Sequence, residues 1–276
     1  ELNGKHGTAI SFDGGRIAYG LNIQANLRGE VFVYEWDAAA GQWVQMGATL
    51  QGEAVEDQSG TTIALSSDGS RLVVGAAFNA GGGYNAGHAR VFEWDGGANN
   101  WVQLGADLDG EAPGDTMGGS HPTVALSADG TIAAIAARYN DGDTGNTNAN
   151  VGHVRMFAWT GTAWAQLGDD LDGTHNAASY GESLALSADG GLLTVGAFGE
   201  PHNGNTMAGA LYTYSALFYP SPPAPPSLPP APSPPPAPTP AHLAVAGYVP
   251  QGANLVGEVD YGYLGSIAAM SADGTR

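Results

Sequence analysis

The 276-residue sequence has little or none of several residue types, and their scarcity excludes several classes of function. It contains no cysteine, which excludes a disulfide framework and a thiolate metal site. Lysine and arginine number only 8 against 27 aspartates and glutamates, which gives a formal net charge of −19. Such an acidic chain repels nucleic acid and anionic membrane surfaces, so we expect neither as a partner. No apolar run approaches the ~18 residues of a membrane-spanning helix, which predicts no membrane span in this segment.

Motifs for several enzyme chemistries are also missing. The sequence has no P-loop, no zinc-ligand spacing and no pairing of a nucleophile with a base, so it predicts no enzyme. Asn-x-Ser/Thr is absent as well, and any glycan is therefore expected to be O-linked. The chain has no initiator methionine or signal peptide and stops inside a repeat at Ser271–Arg276, which we interpret as a segment of a longer, processed protein.

A repeated hexapeptide organises the chain. Ala-Leu-Ser-Ala-Asp-Gly stands at Ala125–Gly130 and Ala185–Gly190, with near-copies at Ala9–Gly14, Ala64–Gly69 and Ala269–Gly274. The copies recur about every 60 residues once a proline-rich block in the last interval is removed, which indicates a repeat architecture. Asp-Gly forms turns, because the aspartate accepts backbone amides and the glycine adopts the required dihedral.

Each repeat contains four short runs that are typical of β-strands. The Ala-Leu-Ser run precedes the turn, and an apolar run such as Arg71–Ala76 follows it. A Gly/Asn-rich loop follows, and after it a run such as Gly87–Trp94, in which side chains of one kind recur at every second position, as in a β-strand. The fourth run, such as Trp101–Gly105, precedes a Leu-x-Gly motif that closes the repeat. Short strands at this spacing, separated by turn residues, predict an all-β fold without helices.

A small residue recurs at one position in the strand after the turn. A small side chain inside a strand implies that another backbone approaches closely, as the inner strands of a propeller do. The residues are Gly20, Gly75, Ala136 and Gly196.

Most of the chain's 17 prolines lie in one block, Pro220–Pro240. Proline lacks the amide donor that a strand needs, so the block is predicted to form polyproline II. It divides the chain into residues 1–219, the block at 220–240 and a continuation at 241–276, and it falls between the third and fourth strands of a repeat. The block either bends back on itself or forms a stalk that divides the four-stranded unit of this repeat. The repeat pattern resumes in the correct position after the block, which favours the bent-back arrangement.

Two family resemblances follow from these runs. Leu72–Ala77, the Gly/Asn loop and Gly87–Trp94 together resemble the FG-GAP repeat of integrin-alpha-type β-propellers, which implies extracellular adhesion or scaffolding. The Ser-Pro-Pro and Pro-Ala-Pro block is similar to the hydroxyproline-rich glycoproteins of green-algal and plant cell walls, which implies hydroxylated prolines and O-linked sugars. The implied sites are Pro222, Pro223, Pro225, Pro226, Pro229, Pro230, Pro232, Pro234, Pro235, Pro236, Pro238, Ser221, Ser227, Ser233 and Thr239.

The repeats and the resemblance predict a β-propeller-like array of four-stranded blades. It contains about four repeats of about 60 residues and a partial fifth, interrupted by the polyproline II insert. The two ends of the chain duplicate rather than complement each other. We therefore expect an open array or partial propeller, completed by more chain or by a neighbouring subunit.

One loop offers oxygen ligands for a metal. Asn140, Asp141 and Asp143 have the oxygen donors that calcium prefers, although a solvated turn explains the same residues. The calcium loop of FG-GAP proteins is reduced here to a bare Asp-Gly turn, so the resemblance carries no calcium site over to Asp68, Asp129 or Asp189. Calcium at the Asn140 loop is thus the one cofactor that the sequence suggests.

Two histidines, His88 and His153, share one repeat position. This recurrence suggests a metal ligand. Glu30 and Ala210 occupy the same position in other repeats, which favours an ordinary strand residue beside a polar loop.

Acidic and aromatic residues provide further candidates. Paired carboxylates support glycosidase chemistry, but here they are scattered over different repeats. The acidic residues are Glu53, Glu56, Asp57, Glu111 and Asp115. Trp36, Trp94 and Trp159 could stack on sugars, although their regular recurrence favours packing between sheets.

The sequence therefore predicts a segment of an extracellular structural or adhesive glycoprotein. We expect it to act as the scaffold of a cell-wall, matrix or flagellar-surface assembly or filament, with other copies, matrix subunits and covalent O-glycans as partners. A lectin-like carbohydrate-binding module is the alternative, and a glycosidase or lyase on a propeller scaffold is a third. Fold alone does not decide among these.

Overall fold

The computed structural model describes residues 7–22, 26–119, 122–142, 149–203 and 206–219, and the backbone of Ala244–Pro250 and Leu255–Val256. These ranges contain twenty β-strands and no α-helix. Accordingly, they include no helix with the length and apolar character needed to cross a membrane.

The strands form four five-stranded sheets. The first sheet contains β1 (Thr8–Ile10), β2 (Arg16–Leu21), β3 (Glu30–Asp37), β4 (Gln42–Gln45) and β5 (Leu50–Gln51). The second contains β6 (Ser59–Leu65), β7 (Arg71–Ala76), β8 (His88–Asp95), β9 (Asn100–Gln103) and β10 (Leu108–Asp109). The third contains β11 (Val124–Leu126), β12 (Ile132–Ala137), β13 (His153–Trp159), β14 (Trp164–Gln166) and β15 (Leu171–Asp172). The fourth contains β16 (Tyr180–Leu186), β17 (Leu192–Ala197), β18 (Ala210–Tyr219), β19 (Ala244–Pro250) and β20 (Leu255–Val256).

Every sheet has the same antiparallel topology. The first four strands pair in chain order, and the short fifth strand pairs with the third. In the first sheet, β4 pairs with the end of β3 at Tyr34–Asp37, whereas β5 pairs with its beginning at Glu30 and Val31. Gly47, with a φ of 68°, lies in the break between them. The outer strand of each blade is thus split in two, and the prediction of an all-β array of four-stranded blades is confirmed.

The Ser-x-Asp-Gly turns are built by their own side chains. In the second sheet the Ser66 hydroxyl donates to Asp68 Oδ1 at 2.8 Å, and the same oxygen accepts the backbone N–H of Ser70 at 2.9 Å. Ser66 Oγ also accepts the N–H of Arg71, while Gly69 has a φ of 66°. Equivalent serine–aspartate bonds occur at Asp13, Asp129 and Asp189. The copy at Ala269–Gly274 lies outside the described residues.

Consecutive sheets are joined by a repeated backbone bond. The N–H of Phe12 donates to Ser67 O at 2.8 Å, that of Ser67 to Ala128 O at 2.8 Å, and that of Ala128 to Ala188 O at 2.7 Å. All four residues occupy one position in the Asp-Gly turn. The sheets therefore stack in chain order with a fixed register from one blade to the next.

The predicted close backbone approach is present between the sheets. A methyl group at Gly20 in β2 would collide with the backbone of Gly60, in the first strand of the next sheet. A methyl at Gly75 in β7 would likewise collide with the carbonyl of Gly118, which precedes β11. Blade-to-blade packing thus explains why this strand position carries a small residue.

The hydrophobic core lies between consecutive sheets rather than within one. The first two sheets enclose one buried cluster, which includes Val33, Met46, Leu72 and Trp101. Similar clusters lie between the second and third sheets and between the third and fourth. Each sheet therefore depends on its neighbours for burial, as expected of a repeat architecture.

Strands on either side of the proline-rich block belong to one sheet. β18 pairs with β19, and Tyr219 is the register partner of Ala244. The block itself, with the predicted modification sites from Ser221 to Thr239, lies outside the described residues. Its modification and the division of the chain at residues 219 and 240 stay predictions.

Candidate functional site

The two histidines that share a repeat position are both buried. His88 is the first residue of β8, and His153 is the first residue of β13. Each stands between a small residue of the second strand and an aspartate of the fifth strand. His88 pairs with Ala76 and Asp109, and His153 pairs with Ala137 and Asp172.

Three carboxylates surround the His88 ring. Its Nδ1 lies 3.8 Å from Asp107 Oδ2 and 3.8 Å from Asp109 Oδ1, both in the same sheet. The third carboxylate, Glu53 Oε2 at 4.0 Å, comes from the loop after β5 of the preceding sheet. We call these four residues the His88 cluster, and it spans two blades.

The arrangement recurs one repeat later. His153 Nδ1 lies 3.8 Å from Asp170 Oδ2 and 3.9 Å from Asp172 Oδ1. Glu111 Oε2, from the loop after β10 of the preceding sheet, lies 3.8 Å away. These four residues form the His153 cluster.

The imidazoles have unused hydrogen-bonding capacity. Among the described residues, neither ring nitrogen of His88 has a hydrogen-bond partner, and Nε2 of His153 has none. Buried polar atoms in folded proteins are nearly always satisfied, so such exceptions need a physical reason. The distances of 3.8–4.0 Å to the carboxylates are too long for hydrogen bonds.

An arginine lies beside the glutamate of each cluster. Arg155 Nη1 lies 3.3 Å from Glu111 Oε1, so the other oxygen of Glu111 faces His153. Arg90 Nη1 lies 3.7 Å from Glu53 Oε1 and Arg90 Nη2 donates to the carbonyl of Gln51 at 2.7 Å. The guanidinium groups thus fix the glutamate loops of one blade against the third strand of the next.

The histidines stay neutral at pH 7. Burial, followed by the charge of Arg90, lowers the pKa of His88 to about 4. Burial and then Arg155 lower the pKa of His153 to about 4 as well. Burial, and then the neighbouring Asp107, raise the pKa of Asp109. A neutral imidazole does not offset the negative charge of the carboxylates, and its unprotonated nitrogen offers a lone pair to a ligand.

The predicted calcium loop lies beside the His153 cluster. Asn140 and Asp141 line a cavity of about 260 Å³ together with Glu111, Asp115 and His153. Asn140 Oδ1 accepts the N–H of Gly142 at 2.7 Å, and its Nδ2 donates to Asp115 at 3.1 Å. These bonds engage the amide of Asn140 in holding the loop. Asp143 lies outside the described residues, so calcium binding by this loop stays a prediction.

The acidic loops separate into two roles. Asp57 accepts the N–H of Ala54 at 2.7 Å and the side-chain amide of Asn79, in the next sheet, at 3.2 Å. Asp115 and Asn140 repeat this pairing. These aspartates hold the loops that carry Glu53 and Glu111 towards the histidines.

Sequence reasoning missed the remaining acidic members of both clusters. They belong to the repeated Asp-Leu-Asp-Gly segments at residues 107–110 and 170–173. The motif could have been linked to the histidines, since it occurs in the two repeats that contain them. The sequence does not reveal the strand pairing that brings Asp109 to His88 and Asp172 to His153.

The interface between the third and fourth sheets is built differently. Ala210 replaces the histidine, and Thr174 replaces the glutamate of the preceding blade. A new pair appears instead, in which His175 Nδ1 lies 2.7 Å from Glu200 Oε1. This interface therefore has a direct histidine–glutamate contact in place of the carboxylate-lined histidine.

The tryptophans pack between sheets, with one partial exception. Trp94 contacts Gly47 of the preceding sheet, and Trp159 contacts Gly105. Trp36 of the first sheet is 44% exposed and lines a groove of about 460 Å³ with Glu35, Asp37 and Trp94. Packing thus accounts for the recurrence of the tryptophans, whereas Trp36 remains available to a ligand.

No protein-family model matches the chain, and no curated protein matches it. Among solved structures, TolB from Acinetobacter baumannii is 18% identical to this chain, with a TM-score of 0.42. The match covers 78% of this chain and 41% of the TolB chain. Sqt1 from Chaetomium thermophilum is 17% identical and covers 77% and 45%, with a TM-score of 0.45. The β-propeller domain of the Trilobed protease from Pyrococcus furiosus is 11% identical and covers 75% and 53%, with a TM-score of 0.40. The chain spans about half the length of these structures, and similarity at this level assigns it no function.

Proposed function

We propose that this chain is a non-catalytic, acidic β-propeller scaffold in an extracellular structural or adhesive glycoprotein. The observation that carries the proposal is the exposed outer face of the first sheet. Ile10 is 64% exposed and Phe12 is 81% exposed, although both belong to a strand and turn that pack between blades elsewhere.

The repeats show what that face can bind. Leu65 and Leu126, which are the counterparts of Ile10, pack into the apolar clusters between their own sheets and the preceding ones. The backbone carbonyls of Ser67 and Ala128, at the position of Phe12, accept a bond from the preceding sheet. The first sheet thus exposes the surface that, in the second and third sheets, packs against the preceding sheet.

Association of the intact chain tests the scaffold role. Sedimentation velocity should detect concentration-dependent self-association or binding to extracted matrix protein, and Ile10→Lys with Phe12→Asp should abolish it. Tyr84→Asp is the matched control, because Tyr84 is an exposed aromatic residue away from this face. Association that survives the Ile10/Phe12 change would refute this surface as the point of assembly.

The extracellular and glycoprotein parts rest on the proline-rich block and its resemblance to cell-wall glycoproteins. Peptide mass spectrometry of native material should find 4-hydroxyproline with O-linked pentose or hexose between Pro222 and Pro240. A peptide at its unmodified mass would remove the glycoprotein argument and leave the propeller scaffold.

Carbohydrate binding is the second candidate, and the groove beside Trp36 favours it. An exposed indole flanked by Glu35 and Asp37 provides a stacking face with hydrogen-bonding groups. Trp36→Ala should abolish retention on a polysaccharide affinity gel, whereas Trp159→Ala should not. Equal retention of both variants would contradict this role.

A further inference from the structure

The two histidine clusters combine three features that no hydrogen-bond network within the protein explains. Each histidine is buried and its Nδ1 faces three carboxylates. Among the described residues, both ring nitrogens of His88 and Nε2 of His153 have no hydrogen-bond partner. In the His88 cluster, the donor atoms of Glu53, His88 and Asp107 all lie within 4.8 Å of one another. In the His153 cluster, those of Glu111, His153 and Asp170 do the same.

The spacing fits a metal ion between the donors. Ligands about 2.1 Å from a tetrahedral zinc lie about 3.4 Å apart, and one oxygen or nitrogen atom comes from each residue. The separations of 3.8–4.0 Å between His88 Nδ1 and its carboxylates exceed that value by about half an ångström. Side-chain rotations of Glu53 and Asp107, which are both partly exposed, can close this difference.

The charges favour a divalent cation. Three carboxylates face His88, and two guanidinium groups lie nearby, Arg90 beside Glu53 and Arg155 beside Asp109. Negative charges therefore remain in excess at a half-buried site, where uncompensated charge is costly. A dication would neutralise them without requiring a change in the fold.

The ligand types identify the class of ion. Imidazole nitrogen is a ligand for zinc, copper, iron and nickel, whereas calcium and magnesium prefer oxygen alone. Carboxylates complete the coordination of zinc in many sites, and three protein ligands leave one position for Asp109, Asp172 or solvent. We propose that the His88 cluster and the His153 cluster each bind one divalent transition-metal ion, with Zn²⁺ as the best match, and that each ion links two consecutive blades.

The link follows from where the ligands originate. Glu53 belongs to the first sheet, whereas His88 and Asp107 belong to the second. Glu111 belongs to the second sheet, whereas His153 and Asp170 belong to the third. An ion in either cluster holds the loop after one blade against the third strand of the next. This role is independent of the proposed assembly and of the glycan.

Zinc titration of the metal-free chain tests the proposal. Isothermal titration calorimetry and native mass spectrometry should give two bound Zn²⁺ per chain. Because ligand binding to the folded state raises stability, Zn²⁺ at 100 times its Kd should raise the Tm by about 5–10 °C for each site. Ca²⁺ at the same concentration should produce a smaller shift.

Conservative variants test each site separately, because they remove carboxylate charge and leave the buried histidines in place. Glu53→Gln with Asp107→Asn should reduce the stoichiometry to one, as should Glu111→Gln with Asp170→Asn, and the four changes together should abolish binding. Glu56→Gln with Asp95→Asn is the control, because it removes the same charge from exposed positions outside the clusters.

Two outcomes would overturn the proposal. A wild-type chain that binds Zn²⁺ no more tightly than the quadruple variant has no site in these clusters. Ca²⁺ binding that equals Zn²⁺ binding in strength and stoichiometry would refute the assignment to a transition metal. Loss of self-association in the Ile10/Phe12 variant leaves zinc binding unchanged, so the two proposals fail separately.

Discussion

Replacing tryptophan by phenylalanine at one repeat position should measure how strongly adjacent blades hold each other. The three residues are Trp43 in β4, Trp101 in β9 and Trp164 in β14. Trp101 is 5% exposed, and its Nε1 donates to the carbonyl of Met46 in the preceding sheet at 3.1 Å. Trp164 is half-buried and donates to the carbonyl of Leu104 at 2.8 Å. Trp43 is 39% exposed and belongs to the first sheet.

The expected losses follow from these contacts. Trp101→Phe leaves the buried Met46 carbonyl without its donor, which costs about 1–3 kcal/mol. It also weakens the edge-on contact with Trp94, whose ring centroid lies 5.5 Å away, and such pairs contribute about 0.5–1.5 kcal/mol. We expect a total loss of about 2–4 kcal/mol for Trp101→Phe, with a smaller loss for Trp164→Phe. Trp43→Phe weakens a similar edge-on contact with Trp36, at 5.4 Å, but it leaves no buried carbonyl unpaired, so it should cost only about 0.5–1.5 kcal/mol.

Urea unfolding followed by circular dichroism provides the measurement. The midpoint should fall in the order Trp101, Trp164, Trp43 with an unchanged slope, since a constant slope reports a stability change alone. Equal losses at Trp43 and Trp101 would refute the reasoning, because only Trp101 is buried against the preceding blade.

Two further predictions test the glycine contacts and the turns. Gly75→Ala should destabilise the fold by several kcal/mol in thermal unfolding, because the added methyl meets the Gly118 backbone. Gly96→Ala should stay within about 0.5 kcal/mol, because its methyl would meet only Trp94 Nε1, at an ordinary contact distance of 3.8 Å. The pKa of Asp189 is lowered first by a hydrogen bond from the Ser187 hydroxyl and then by one from a backbone amide. The ionised Asp189 therefore stabilises the fold at pH values above the unfolded pKa of about 3.9, and this stabilisation is lost as the pH falls through the lower pKa of the folded state. Urea unfolding from about pH 5 to pH 2 should show a shallower pH dependence in Asp189→Asn than in the wild type, and parallel curves would contradict this.

Local chemistry explains why much of the fold was predictable. The Ser66–Asp68 turn is formed within six residues, and the alternation in Gly87–Trp94 reflects one strand's two faces. The small residue at Gly75 also revealed a close contact, although not which backbone makes it. Each of these features is encoded by neighbouring residues, so a sequence pattern is enough to detect it.

The candidate site was only partly predictable because its members meet through long-range pairing. Asp109 reaches His88 only when β10 pairs with β8, and Glu53 arrives from the preceding sheet. A histidine in a strand carries no sign of these partners. The occurrence of glutamate or alanine at the same repeat position therefore favoured an ordinary strand residue, and the acidic neighbours were not connected to it.

The fourth sheet shows that blade packing does not require these clusters. At its interface with the third sheet, Ala210 stands in place of the histidine, yet the buried apolar cluster and the backbone bond from Ala128 to Ala188 are retained. The nearby His175 and Glu200 side chains contact each other directly, with 2.7 Å between His175 Nδ1 and Glu200 Oε1. Two other interfaces instead keep a buried imidazole without a hydrogen bond to the surrounding carboxylates, an arrangement that costs about 1–3 kcal/mol for each unsatisfied group. Since the same fold has a way to avoid that cost, a bound ligand explains the histidine clusters better than packing does, and a cation between Nδ1 and the carboxylates would engage both groups.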